Sequence, residues 1–211
     1  MLLQEKYKEQ LKDILNVFEQ FNEEDFYKLS QDNFDYLSDK FKEKYLLSFK
    51  AASGATKGVF IFQDLGFVIK IPFTMLDCDE ELYEDYCENE VTHYEQAVEY
   101  NIENLFLKTE LINNYNKYSL YIQEIAEPLS SIKYLTDKSS HSEEQYHQIV
   151  EKYGGDICPS WEADILAIYG EDYYFRFQNF INEADINDLR DANIGYKGKN
   201  PVLFDYAGFY E

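Results

Sequence analysis

The sequence predicts an α+β protein in which a small antiparallel sheet is flanked by helical segments. Three observations carry that prediction. Apolar residues recur at helical spacing near the N-terminus, strand-like runs with hairpin turns follow from about Leu47 to Ala126, and helical segments return after Pro128. In the first part, Leu3, Tyr7, Leu11, Ile14 and Phe18 share one helix face, and a second acidic, aromatic stretch runs through Phe34, Tyr36, Leu37 and Phe41. Residues 1–47 therefore read as an N-terminal helical extension.

Next, SFKAAS, GVFIF and FVIKIPF read as strands, the latter two joined by the turn-like Gln63-Asp64-Leu65-Gly66 into a hairpin. Residues 79–100 are helical in character, with acidic residues crowding the first turns, where the helix dipole favours negative charge. LFLKTELI and YSLYIQEI then read as a second strand pair across the polar turn Asn113-Asn114-Tyr115-Asn116-Lys117. After Pro128 the expectation is a short helix, a polar stretch TDKSSHSEEQYH, and helices around Ile165 and Phe180. No internal repeat or low-complexity tract breaks the chain, so two lobes behind the extension are the simplest organisation: a sheet lobe over 48–126 and a reduced helical lobe over 127–211.

At 211 residues and 45% hydrophobic, the chain can bury a sizeable core. Its 41 acidic and 19 basic residues give a formal charge of -22, which works against a broad nucleic-acid-binding surface and favours basic partners or substrates. Cys78, Cys87 and Cys158 contain no C-x-x-C pair, so neither a disulfide framework nor a thiolate zinc site is suggested, and a reducing cytoplasm fits. The opening MLLQEKYKEQLKD lacks the apolar core of a signal peptide, and no run is long enough to span a bilayer, so no membrane association is expected. His93, His141 and His147 form no metal-ligand pattern, and His141 and His147 read as solvent-facing. Cys158-Pro159-Ser160-Trp161 reads as a turn with a packing anchor, and the 20 tyrosines and 16 phenylalanines as core and interface residues.

The segment richest in chemistry is Asp188-Leu189-Arg190-Asp191-Ala192-Asn193, followed by the apolar run Pro201-Val202-Leu203-Phe204 and then Asp205-Tyr206-Ala207. This D-L-x-x-x-N spacing with a later Asp-aromatic-small triplet resembles the catalytic loop and D-F-G segment of protein kinases. The resemblance implies a loop that presents a carboxylate to an acceptor hydroxyl and an amide oxygen to a metal, with a second carboxylate reaching that metal from a neighbouring strand. The resemblance extends from about Ser48 onwards. Lys70 in Phe67-Val68-Ile69-Lys70-Ile71 is similar to the V-A-I-K strand, and Glu90 on the following helix is the expected partner, with Glu88 and Glu95 as alternatives. Ser53-Gly54-Ala55-Thr56-Lys57-Gly58 stands where the family's glycine-rich loop belongs, and Tyr121-Ile122-Gln123-Glu124-Ile125-Ala126 where its hinge meets adenine.

The resemblance implies a two-lobed protein-kinase-like fold that binds ATP and Mg²⁺. Lys70 and Glu90, Gly54 and Gly58, and Glu124 and Ile125 would serve the nucleotide; Asn193 and Asp205 would hold the metal; Asp188 and Lys70 would act in catalysis. Its implied activity is transfer of the γ-phosphoryl group to a hydroxyl, with a protein as acceptor or partner. Ile186-Asn187 replaces the His-Arg that usually precedes the catalytic aspartate, and the sequence ends shortly after Asp205, before any activation segment, A-P-E motif or peptide-binding helices. The alternative is a catalytically inactive kinase-like binding protein, or an acidic nucleic-acid mimic whose patch would be Asp79, Glu80, Glu81 and Glu84.

Overall fold

The apolar stripe at the N-terminus folds as the helical period requires, into α1 (Leu3–Lys6) and α2 (Lys8–Glu19), which bury Leu3, Leu11, Ile14 and Phe18. The computed structural model describes residues 2–19, 31–54, 56–72, 85–115, 118–129, 141–153 and 160–207. Helix α3 (Gln31–Tyr45) buries Phe34, Leu37 and Phe41 and leaves Tyr36 exposed. Strands β1 (Phe49–Ser53), β2 (Lys57–Phe62), β3 (Phe67–Pro72), β4 (Thr109–Tyr115) and β5 (Tyr118–Glu124) form an antiparallel sheet in the order β1-β2-β3-β5-β4. The β2–β3 hairpin turns through Gln63–Leu65 and closes at Gly66, whose φ of +81° is the left-handed conformation glycine adopts without a Cβ clash. Helix α4 (Tyr86–Glu99) follows β3 in the chain, and its acidic approach over 79–84 lies outside the described residues.

The chain divides into two compact units, Met1–Val91 with Lys108–Ile125, and Thr92–Leu107 with Ala126–Glu211, the boundary falling inside α4. In the first, register separates the sheet's two faces. Phe60 lies opposite Ile69, and Ile69 opposite Ile122, whereas Val59 lies opposite Lys70, and Lys70 opposite Tyr121. Because side chains alternate along each strand, Phe60, Phe62, Phe67, Ile69, Ile71, Leu120 and Ile122 share one face, and Lys57, Lys70, Thr109, Tyr121 and Gln123 the other. The apolar face shares its core with α1–α3, where the Phe41 ring lies 5.2 Å from Phe62 and 5.4 Å from Phe60.

The second unit contains α5 (Glu143–Tyr153), α6 (Ser160–Tyr169), α7 (Glu171–Glu183) and a small antiparallel sheet of β6 (Glu127–Pro128), β7 (Ile194–Lys197) and β8 (Asn200–Leu203). Its core includes Trp161, Ile165, Phe177, Phe180, Tyr196, Leu203 and Tyr206. The run LFLK does not begin the strand expected of it. Leu105 and Phe106 are buried in this second core, and Leu107 N–H donates to the Leu203 carbonyl at 2.9 Å, so β4 starts only at Thr109. The polar stretch 136–147 is also helical in part, because Ser142 and Gln145 form a reciprocal capping box. Gln145 N–H donates to Ser142 Oγ at 3.2 Å and Ser142 N–H to Gln145 Oε1 at 2.8 Å, starting α5.

Gly195 on β7 is fixed by a close approach. A Cβ there would sit 2.5 Å from the Glu127 carbonyl oxygen and 3.2 Å from the Phe204 ring. Gly195→Ala should therefore part β6 from β7 and cost about 1–3 kcal/mol, read from urea unfolding of the intact chain. An unchanged midpoint would refute the crowding. Among the described residues, no helix is long and apolar enough to cross a membrane.

Candidate functional site

The polar face of the five-stranded sheet carries a buried ionic network. Glu90, on the second turn of α4, is 0% exposed, with Lys70 at 3% and Lys57 at 5%. Lys70 Nζ donates to Glu90 Oε2 at 2.6 Å, Lys57 Nζ to Oε1 at 2.6 Å, and Thr109 Oγ1 to Oε2 at 2.9 Å. Behind them, Gln123 Nε2 donates to Thr109 Oγ1 at 2.8 Å across the directly paired positions of β4 and β5. Of the three glutamates open from sequence, Glu90 reaches Lys70, while Glu88 and Glu95 are exposed. Each buried ion costs several kcal/mol of desolvation, so this arrangement holds only because both carboxylate oxygens are satisfied.

A second anchor holds the same helix end. Asp85 Oδ1 accepts the Cys87 and Glu88 N–H groups at 2.9 and 3.1 Å, capping α4, and its Oδ2 accepts the Tyr121 hydroxyl at 2.6 Å. Burial and the bond to Asp85 push the Tyr121 phenol well above its ordinary range, so it stays a donor. Cys87 is wholly buried, and burial likewise pushes its thiol up, which marks it as core rather than reactive. Cys78 and Cys158 lie outside the described residues, as do Asp79, Glu80, Glu81 and Glu84.

The two backbone sites expected for the nucleotide are engaged within the protein. Gly54 N–H donates to the Lys57 carbonyl at 3.0 Å, beside the paired positions Ser53 and Gly58. Ile125 N–H donates to the Gly66 carbonyl at 3.3 Å, and the Glu124 carboxylate is paired with Lys6. A ligand taking either N–H would have to displace the internal bond.

In the second unit, the loop from Asp188 to Asn193 closes on itself. Asn193 is buried, its Nδ2 donating to the Asp188 carbonyl at 2.9 Å and its N–H to the Arg190 carbonyl at 2.8 Å. The Asn193 carbonyl accepts Phe204 N–H at 3.0 Å, one step beyond the Ile194–Leu203 pair, so the β7–β8 hairpin brings Asn193 beside the residue that precedes Asp205. Asp188 Oδ2 is held by Arg190 Nη2 at 2.8 Å near the surface. Tyr206 is buried, with its hydroxyl on the Leu107 carbonyl at 2.6 Å and its own carbonyl 2.9 Å from His93 Nδ1. With Nδ2 committed to the Asp188 carbonyl, the Asn193 side chain keeps its amide oxygen as an acceptor. Among the described residues, no group of three or more His, Cys, Asp and Glu side chains is placed to hold a metal ion by itself.

His141 departs from the solvent-facing expectation. Its side chain is 7% exposed and its Nδ1 lies 2.7 Å from Oδ1 of the fully buried Asp164, whose Oδ2 accepts the Tyr196 hydroxyl at 2.6 Å. Nothing in the local sequence signals this, because Asp164 comes from α6 and Tyr196 from β7. Trp161 is buried in the first turn of α6 rather than in a turn. No protein-family model matches the sequence, and comparison with curated proteins also gives no match.

Proposed function

We propose that the chain is an atypical ATP-dependent phosphotransferase with a two-lobed protein-kinase-like fold, acting on a hydroxyl of a protein acceptor. The observation that carries this reading is the buried Lys70–Glu90 pair, a strand lysine held by a glutamate of the following helix. Such pairs are weak devices for stability, since apolar residues of similar volume serve as well or better, so a functional demand on the lysine accounts for its retention.

In this reading Lys70 offsets phosphate charge and Glu90 keeps its ammonium in place. Asn193 and Asp205 would hold Mg²⁺, which would supply charge neutralisation at the phosphate oxygens. The acceptor oxygen forms a bond to the γ-phosphorus while the bond to the β–γ bridging oxygen breaks. ADP leaves with that electron pair, and the hydroxyl proton passes to the Asp188 carboxylate. The test is incubation with γ-labelled ATP and Mg²⁺, with and without cell extract, comparing wild type with Asp205→Ala and Lys70→Met. Label on an acceptor should appear with wild type and vanish with both variants; a folded wild type that neither binds nor consumes Mg-ATP overturns the reading.

A catalytically inactive kinase-like binding protein is the second reading, favoured by the internal engagement of the Gly54 and Ile125 N–H groups. It is distinguished by partner capture from extract that persists in Asp205→Ala without any transfer of label.

A further inference from the structure

We propose that Lys57 is a positioning residue that acts on Lys70 through Glu90, making a two-lysine clamp in which each ammonium owns one carboxylate oxygen. The inference rests on the nucleotide-site reading for its functional consequence and on geometry for its structure. Lys57 opens β2 and Lys70 lies on β3, in register with Val59, so the two side chains leave the same face of the sheet diagonally. Lys57 takes Glu90 Oε1, leaving Oε2 to Lys70 and Thr109. Because Gln123 donates to the Thr109 oxygen, the Thr109 proton is directed at Glu90.

Three strands thus each supply one donor to a single carboxylate, and that carboxylate cannot rotate about its terminal torsion without breaking a bond to one of them. A glutamate held by one lysine can swing; a glutamate held at both oxygens cannot. The bland alternative is that Lys57 is a buried lysine with a convenient partner. An ammonium in that position carries a desolvation penalty, whereas methionine would fill much of the same volume without one. What the charge adds is immobilisation of Glu90, and with it the direction of the Lys70 ammonium.

The test reads the lysine ammonium groups directly by NMR of the isotope-labelled full chain, alongside Mg-ATP affinity. Wild type should show two slowly exchanging ammonium resonances, both coupled across hydrogen bonds to the Glu90 carboxylate. A single coupled resonance overturns the clamp without any variant. Lys57→Met should remove one resonance, shift the other and speed its exchange with water, with Mg-ATP affinity falling about tenfold. Lys57→Arg should restore the Lys70 signal and most of the affinity. A Lys70 resonance indifferent to Lys57→Met overturns the proposal whatever the nucleotide does. Wild type with both resonances but no Mg-ATP uptake overturns the nucleotide reading and leaves the clamp standing.

Discussion

Replacing Glu90 by alanine should destabilise the protein by about 3–5 kcal/mol, the cost of removing one member of a buried ionic network. Two ammonium groups, 3% and 5% exposed, lose the carboxylate that both share, and Thr109 loses its acceptor. Urea unfolding of the full chain gives the measurement, with the fall in midpoint read at constant slope. The informative companion is the triple variant Glu90→Leu, Lys57→Met, Lys70→Met. Replacing all three ions by apolar residues should return stability to near wild type or exceed it by about 1–4 kcal/mol, because their desolvation is then avoided. That pair of results would show a network kept at the expense of stability. If Glu90→Ala costs less than about 1 kcal/mol, water reaches the lysines and the cluster is not the closed unit its geometry describes.

The division between what the sequence makes legible and what it hides follows the range of the interactions. The β2–β3 hairpin is visible because alternation, β-branched residues and Gly66 are all local, and α2 is visible because Leu11, Ile14 and Phe18 repeat at helical spacing. Lys70 and Glu90 are legible as a strand lysine and a helix glutamate, and the structure pairs them. Lys57 is not, since Ser53-Gly54-Ala55-Thr56-Lys57-Gly58 reads as a whole as a glycine-rich loop, and its burial is set by a carboxylate arriving from α4. The start of α5 carries a local cue, Ser142 and Gln145 at capping-box spacing, inside a stretch whose polarity otherwise reads as loop. His141 carries no such cue. The run at Leu105–Leu107 shows a further limit, for hydrophobicity marks burial without saying in which of two cores.

The largest effect in the second unit should come from Asp164. This carboxylate lies wholly buried between α6 and β7, accepting the Tyr196 hydroxyl at 2.6 Å and facing His141 Nδ1 at 2.7 Å, with the His141 ring stacked on Tyr146 at 5.4 Å. Burial first, and the bond to Asp164 second, push the Tyr196 phenol well above its ordinary range, so the proton stays on the phenol and the hydroxyl remains the donor. Hydrogen bonds to a charged acceptor contribute about 1.5–3 kcal/mol each, so Asp164→Ala, which removes the acceptor that both groups face, should cost about 3–5 kcal/mol. Tyr196→Phe removes one bond and leaves His141 to the carboxylate, so about 1–3 kcal/mol is expected. Placed on Asp164→Ala, the same Tyr196→Phe change should be close to neutral, because the phenol has already lost its acceptor; full additivity in this double-mutant cycle would show that the three groups do not act as a unit. Tyr196 sits on the strand that leaves the Asp188–Asn193 loop, so hydrogen exchange should report the damage as faster opening of β7 and of the Asn193–Phe204 bond. An effect confined to α5 would instead mean that Asp164 serves only to seat His141.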